Sequence, residues 1–191
     1  MPDAILGMNP VLLIVIAIAA ILVIALIATY NSLVKARNRV KNQWSQIDVQ
    51  LTRRAELIPN LIECVKGYAA HEKETLERVM KARSAMMNAN TPKQAMEANA
   101  QLTSALPGIF ALSESYPGLK ADSSFLKLQT ELSETESKVA YARQFYNDTV
   151  MLYKDKIQQF PTNIFAALFG FRDEGYYIAD AADRASVKVK F

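Results

Sequence analysis

The sequence predicts an all-α protein: an N-terminal transmembrane helix, an elongated antiparallel four-helix bundle, a short apolar helix and an extended C-terminal tail. Three observations carry that expectation. No charged side chain occurs between Asp3 and Lys35, and Val11 to Ala28 is unbroken Val, Leu, Ile and Ala. Apolar or small residues then recur three and four apart at Val40, Trp44, Ile47, Leu51, Ala55, Ile58, Ile62, Val65 and Ala69. That is the seam of an amphipathic helix packed at a shallow crossing angle. A second seam of the same kind runs through Phe125, Leu128, Leu132, Thr135, Val139, Ala142, Tyr146, Thr149, Tyr153, Ile157 and Phe160.

Residues 1–9 form a short N-terminus, and 10–30 read as the membrane span. Asn9 suits the helix cap and Pro10 its first turn. About 20 residues at the α-helical rise give about 30 Å, the thickness of a bilayer core. A cleaved signal peptide would open on basic residues, and MPDAILGMNP has no Lys or Arg. Lys35, Arg37, Arg39 and Lys41 follow the span and no basic residue precedes it. The positive-inside rule therefore places residues 31–191 in the cytoplasm and the N-terminus outside. The same four side chains are candidates for contact with anionic headgroups, a plain solvated helix face being the alternative.

The first seam belongs to a helix reaching about Ala70, with Lys41, Gln46, Arg53, Arg54, Glu63 and Lys66 off the seam. Pro59 lacks a backbone donor and crowds the carbonyl four residues back, so a kink is expected near Ala55. Residues 74–90 can be helical again, with Leu76, Val79, Met80, Arg83 and Met86 on one face. Thr91 caps the next helix, with Pro92 at its first position and Gln94 at the capping-box spacing. That helix carries Leu102, Ala105, Ile109, Leu112 and Tyr116, and Pro107-Gly108 is expected to bend or interrupt it. Tyr116-Pro117-Gly118-Leu119 reads as a turn. The second seam fills a long helix from about Asp122 to Gln159, which Phe160-Pro161 ends. Residues 161–171 read as a short apolar helix. Residues 172–191 read as a tail, in which Val187 to Phe191 alternates in the manner of a strand.

Length sets the topology. A break near Ala70-His71 leaves two long helices of about 60 Å each, running antiparallel, with two shorter helices beside their distal half. Residues 31–160 then make an up-down-up-down bundle on a membrane stalk. In that register Asp48 faces Arg143, and Arg54 lies near Glu134 or Glu136. Asp48, Arg53, Arg54, Glu56 and Asn60 are candidates for polar pairs that fix register, or for a partner surface.

Several chemistries are excluded. A di-metal carboxylate bundle needs two Glu-x-x-His pairs, and the chain has one His, His71. No metal site and no cofactor is expected. The one Cys, Cys64, cannot form an intramolecular disulfide, and His71, seven residues on, shares its helix face as a base only if the helix does not break at residue 70. There is no Gly-rich phosphate loop. A net charge of +3, without interleaved aromatics, gives no nucleic-acid signal.

Longer motifs remain. Tyr30 to Val34, Arg37-Asn38, Trp44-Ser-Gln-Ile-Asp-Val-Gln-Leu51, Arg53-Arg54, Leu57-Ile-Pro-Asn-Leu61, Val65-Lys-Gly-Tyr-Ala69 and His71-Glu72 together resemble the signature of the LemA family. Tyr116 to Ala121, Arg143-Gln-Phe-Tyr-Asn-Asp148 and Phe160-Pro161 agree with it. The likeness runs from the span to at least Phe171; Pro107-Gly108 departs from it. It implies a bacterial, single-pass, helical protein of the cytoplasmic (inner) membrane whose biochemical role is poorly defined.

Three readings of function follow. The first is a non-enzymatic membrane-anchored scaffold or interaction protein that self-associates, with Phe160, Ile164, Phe165, Leu168, Phe169 and Phe171 as oligomer contacts. Membrane lipids, a second copy and a further protein are its expected partners. The second is an amphipathic membrane-shaping module working through Arg37, Arg39 and residues 162–171. The third is an unrecognised enzyme.

Overall fold

The computed structural model describes residues 9–177. They form six helices: α1 (Pro10–Lys66), α2 (Lys73–Met87), α3 (Pro92–Ser115), α4 (Pro117–Lys120), α5 (Ser123–Gln158) and α6 (Thr162–Leu168). No strand occurs among the described residues. The fold class is all-α, with a long apolar helix at its N-terminus. Val187 to Phe191, the expected extended arm, lies outside the described residues.

The chain divides into two compact units. One holds residues 1–40 and 149–175; the other holds residues 41–148 and 176–191. Both long helices, α1 and α5, contribute to each.

In the first unit α1 opens on Asn9, whose Oδ1 accepts the Val11 N–H at 3.1 Å, the cap that the sequence calls for. Its side chains from Val11 to Ile18 and from Ile21 to Ile24 are exposed. Past that stretch the pattern changes. Leu33, Val40, Val150, Tyr153, Ala166 and Phe171 are buried.

In the second unit four helical segments are tied to one another. Trp44 of α1 and Tyr146 of α5 meet edge to face at 5.9 Å. Phe110 of α3 and Phe125 of α5 do the same at 6.3 Å. The predicted seam is buried at Ile47, Leu51, Ala55, Ile58, Ile62, Val65 and Ala69, with Leu61 added and Trp44 half-buried. The α5 seam is buried at Phe125, Leu132, Thr135, Val139 and Tyr146.

Pro59 does not end α1, which runs 57 residues through it. Its missing N–H leaves the Ala55 carbonyl without a helical donor. The guanidinium of Arg83, on α2, supplies one: Nε donates to the Ala55 oxygen at 3.0 Å. The helix closes four residues earlier than the expected Ala70, at Lys66, because Gly67 begins a turn. Thr91 caps α3, its Oγ1 accepting the Gln94 N–H at 3.2 Å, while Gln94 Oε1 accepts from Asn90 N at 3.0 Å.

Two local expectations are narrowed. Of the bend or interruption expected at Pro107-Gly108, the interruption does not occur: α3 is continuous from Pro92 to Ser115, with buried Leu102, Ala105, Leu106 and Ile109 around the pair. The turn expected at Tyr116 to Leu119 takes the form of a single helical turn, α4, over residues 117–120. Pro117 at its first position is preorganised for helix, and Leu119 anchors it, fully buried.

Candidate functional site

Two regions carry the polar and apolar residues that the sequence singles out, one in each unit.

In the second unit the centre is Arg54. It is 2% exposed, and its Nη1 donates to Asn99 Oδ1 at 2.6 Å and to Thr103 Oγ1 at 2.9 Å, both on α3. The same atom forms an ion pair with Glu136 of α5, whose side chain is partly exposed. Burial pulls the guanidinium below its ordinary value, and Glu136 opposes that. Its Nε is buried without a hydrogen-bond partner. Asn99 in turn donates through Nδ2 to the Tyr177 hydroxyl at 3.3 Å. Tyr177 is clipped to α5: its N–H donates to Asn147 Oδ1 at 2.8 Å, and Asn147 Nδ2 donates to its carbonyl at 2.9 Å. The Arg143 guanidinium lies over the Tyr177 ring, 5.4 Å from its centroid. Burial pushes the Tyr177 phenol up.

This arrangement sorts the sequence candidates. Arg54 lies with Glu136, and Glu134 pairs along its own helix with Lys138. Asp48 is exposed and has no ion pair among the described residues, while Arg143 turns to Tyr177. The reason is angular: Asp48 follows the fully buried Ile47 by one residue, and adjacent helical residues do not share a face. Arg53, Glu56 and Asn60 are exposed as well. Sequence reasoning missed Asn99, Thr103 and Tyr177. The signal was available for Asn99, a polar residue three before Leu102 on the α3 seam.

At the other end of the second unit Asp122 gathers four donors. Its Oδ1 accepts from Ser124 N at 2.8 Å, Phe125 N at 3.0 Å and the Cys64 thiol at 3.6 Å, and its Oδ2 accepts from the Tyr68 hydroxyl at 2.9 Å. The Phe125 N–H, then Tyr68, hold this carboxyl below the usual range. Burial and the neighbouring carboxylate push the Cys64 thiol up, the opposite of what a nucleophile needs.

In the first unit α6 is fastened on both sides. Gly170, with φ 71°, closes it: Phe171 N donates to the Ala166 carbonyl at 2.9 Å and Gly170 N to Ala167 at 3.4 Å, the double bond of a Schellman cap. Phe171 is buried, meets Tyr30 at 5.8 Å and carries the Arg37 guanidinium 5.0 Å from its centroid. Phe169 meets Tyr30 at 5.1 Å. The Tyr153 hydroxyl donates to the Arg172 carbonyl at 3.0 Å, and Lys154 pairs with Asp173 at 2.6 Å. The six apolar candidates therefore divide. Phe171 is buried and Phe165 half-buried, whereas Phe160, Ile164 and Leu168 stand 81%, 57% and 73% exposed. Lys35, Arg39 and Lys41 are exposed, and Arg37 is half-buried.

A family model, described as the LemA family, matches residues 43–191. The chain belongs to the LemA family. Protein LemA of Metamycoplasma hominis is 27% identical over 158 residues, covering 82% of this chain and 72% of that protein. Magnetosome protein MamQ 2 of Paramagnetospirillum magneticum is 26% identical over 202 residues, covering 90% of this chain and 74% of the relative. Magnetosome protein MamQ of Magnetospirillum gryphiswaldense is 24% identical over the same span and coverage. No enzymatic activity is carried by any of these names. The exposed apolar stretch of α1 and this LemA kinship together point to membrane association, with a biochemical role still undefined.

Proposed function

We propose that this LemA-family chain is a non-enzymatic, single-pass, membrane-anchored helical scaffold of the bacterial inner membrane. The observation that supports this best is the first part of α1. It is long and apolar enough to cross a membrane, and its side chains have no cover within the protein. A helix apolar on every face needs an apolar surround. In this reading the N-terminus lies outside and the helical remainder, a four-helix bundle, lies in the cytoplasm. Lys35, Arg37, Arg39 and Lys41 meet anionic headgroups at the exit from the bilayer, and copies associate with one another or with a further protein.

Fractionation and sizing test the proposal together. The full chain should stay in the membrane pellet after an alkaline carbonate wash. Its mass by light scattering in detergent should be a multiple of the 21.3 kDa protomer. Release into the supernatant overturns the anchor, and a monomeric mass overturns the self-association. The membrane-shaping alternative draws support from the exposed apolar face of α6. Vesicle tubulation by the purified chain would favour it.

A further inference from the structure

The outward face of α6 leaves Ile164 and Leu168 exposed. From Phe160 to Phe171 the sequence holds no charged residue. At 100° per residue Ile164, Ala167 and Leu168 share one face; Phe160, also exposed, lies in the link between α5 and α6. The opposite face carries Phe165 and Ala166, half-buried and buried. A helix that packs one face on a protein and turns the other to water shows polar residues outward. On α6 the polar side chains, Thr162 and Asn163, are confined to the first turn, and from Ile164 to Leu168 both faces are apolar.

The position of α6 is built, not incidental. Phe169 and Phe171 hold the ring of Tyr30 between them, at 5.1 and 5.8 Å. Thr162, at its start, lines a shallow hollow with Ala28, Thr29, Ser32 and Lys156. Both contacts fall where the exposed apolar stretch of α1 gives way to polar residues. A span of about 20 residues from Pro10 ends at that level. One lysine and three hydroxyl-bearing residues are among those that line the hollow, and Lys156 has no ion pair among the described residues. Such a set matches a phosphodiester. The exposed face of α6 thus lies close in the fold to the end of the apolar stretch of α1, with the hollow lined by both helices.

We propose that α6 is an interfacial helix that lies in the boundary of the leaflet where α1 leaves the membrane. Phe160, Ile164 and Leu168 enter the acyl chains of that leaflet, and Lys156 with Thr29, Ser32 and Thr162 faces a lipid headgroup phosphate. The ridge is occupied by lipid and not by a second copy of the chain. This rests on the membrane-anchor reading above and adds a second point of attachment.

The test uses the full chain in phosphatidylcholine–phosphatidylglycerol vesicles, in a Cys64→Ser background. A nitroxide is attached at Leu168→Cys, with Ile16→Cys as the span reference and Ser137→Cys as the aqueous reference. Ile164→Cys replaces the first variant if it alters elution in detergent. Collision of the nitroxide with oxygen is compared with collision with an aqueous nickel chelate. The expected oxygen-to-nickel ratio at residue 168 is close to that at 16 and severalfold above that at 137. A ratio like that at 137 puts the ridge in water and overturns the proposal. Protection from both reagents, with spin–spin broadening that unlabelled protein dilutes away, assigns the ridge to a second copy and also overturns it. Nickel access at residue 16 itself shows that the anchor reading, and not only the placement of α6, is wrong.

Discussion

At the scale of single residues, the informative group is Arg54. Its guanidinium is buried, its Glu136 partner is partly exposed, and Asn99 and Thr103 complete the shell. Removing the carboxylate leaves a buried positive charge with only Asn99 and Thr103 as partners; the cost is about 3–5 kcal/mol for a fully buried pair and is expected to be smaller here, because Glu136 is partly exposed. Removing the charge as well should recover part of that loss. The double variant Arg54→Met/Glu136→Ala is therefore expected to be more stable than Glu136→Ala alone in denaturant melts of the detergent-solubilised chain. Additive losses would show that the two groups do not depend on each other. Asp122 gives a pH prediction. Its folded pKa lies below the ordinary 3.8, through bonds from Phe125 N, Tyr68 and Ser124 N. A depressed carboxylate contributes stability that is present above its unfolded value and lost as pH falls through the folded one. The wild-type melting temperature should fall on acidification below about pH 4, and Asp122→Asn should flatten that limb while keeping an acceptor for the cap. An unchanged acid limb in the variant would mean that other carboxylates set it. Arg54 was legible in the sequence as a polar residue close to the seam. Its true partners were not all legible, because Asn99 and Tyr177 come together only through packing between segments far apart in the chain.

At the scale of elements, α1 and α2 share a repair. Pro59 frees the Ala55 carbonyl and Arg83 donates to it at 3.0 Å. A part-buried carbonyl left without a donor costs about 1–3 kcal/mol. Arg83→Met should therefore destabilise the wild type by about that amount, and much less when Pro59→Ala has restored the helical N–H. Equal losses in the two backgrounds would remove the Arg83 bond from the account of how α1 passes Pro59. The closing turn of α6 offers a simpler case. Gly170 has φ 71° and open space around its Cα, so Gly170→Ala introduces backbone strain without a clash. It should lower stability by about 1 kcal/mol. A melt indistinguishable from wild type would argue against the Schellman geometry. Most of the elements were legible because period 3.6 survives in both seams and because Thr91, Pro92 and Gln94 spell out a cap. The errors fall where propensity and packing disagree. Pro107-Gly108 reads as a breaker, and buried Leu102, Ala105, Leu106 and Ile109 on either side override it. Pro117-Gly118 reads as a turn, and a fully buried Leu119 winds it into α4.

At the scale of the whole molecule, the composition of α1 does two jobs in one uninterrupted helix. Its first stretch is apolar on every face, and its later stretch is apolar on a seam. The change of pattern falls close to Lys35, Arg37, Arg39 and Lys41, and no basic residue precedes the span. Asp3 and the polar residues of the N-terminus contribute little to orientation, whereas clustered Lys and Arg resist transfer across the bilayer. The N-terminus should accordingly lie outside and the helical remainder inside. Ser137 is exposed, so a cysteine there reports on the side that the remainder occupies. In a Cys64→Ser background, Ser137→Cys should resist a membrane-impermeant maleimide in intact cells and react once the inner membrane is opened. A cysteine placed at Asn9 should show the reverse. Reaction at position 137 in intact cells, with position 9 protected, would invert the topology, and the basic cluster would then have to be read as a solvated helix face.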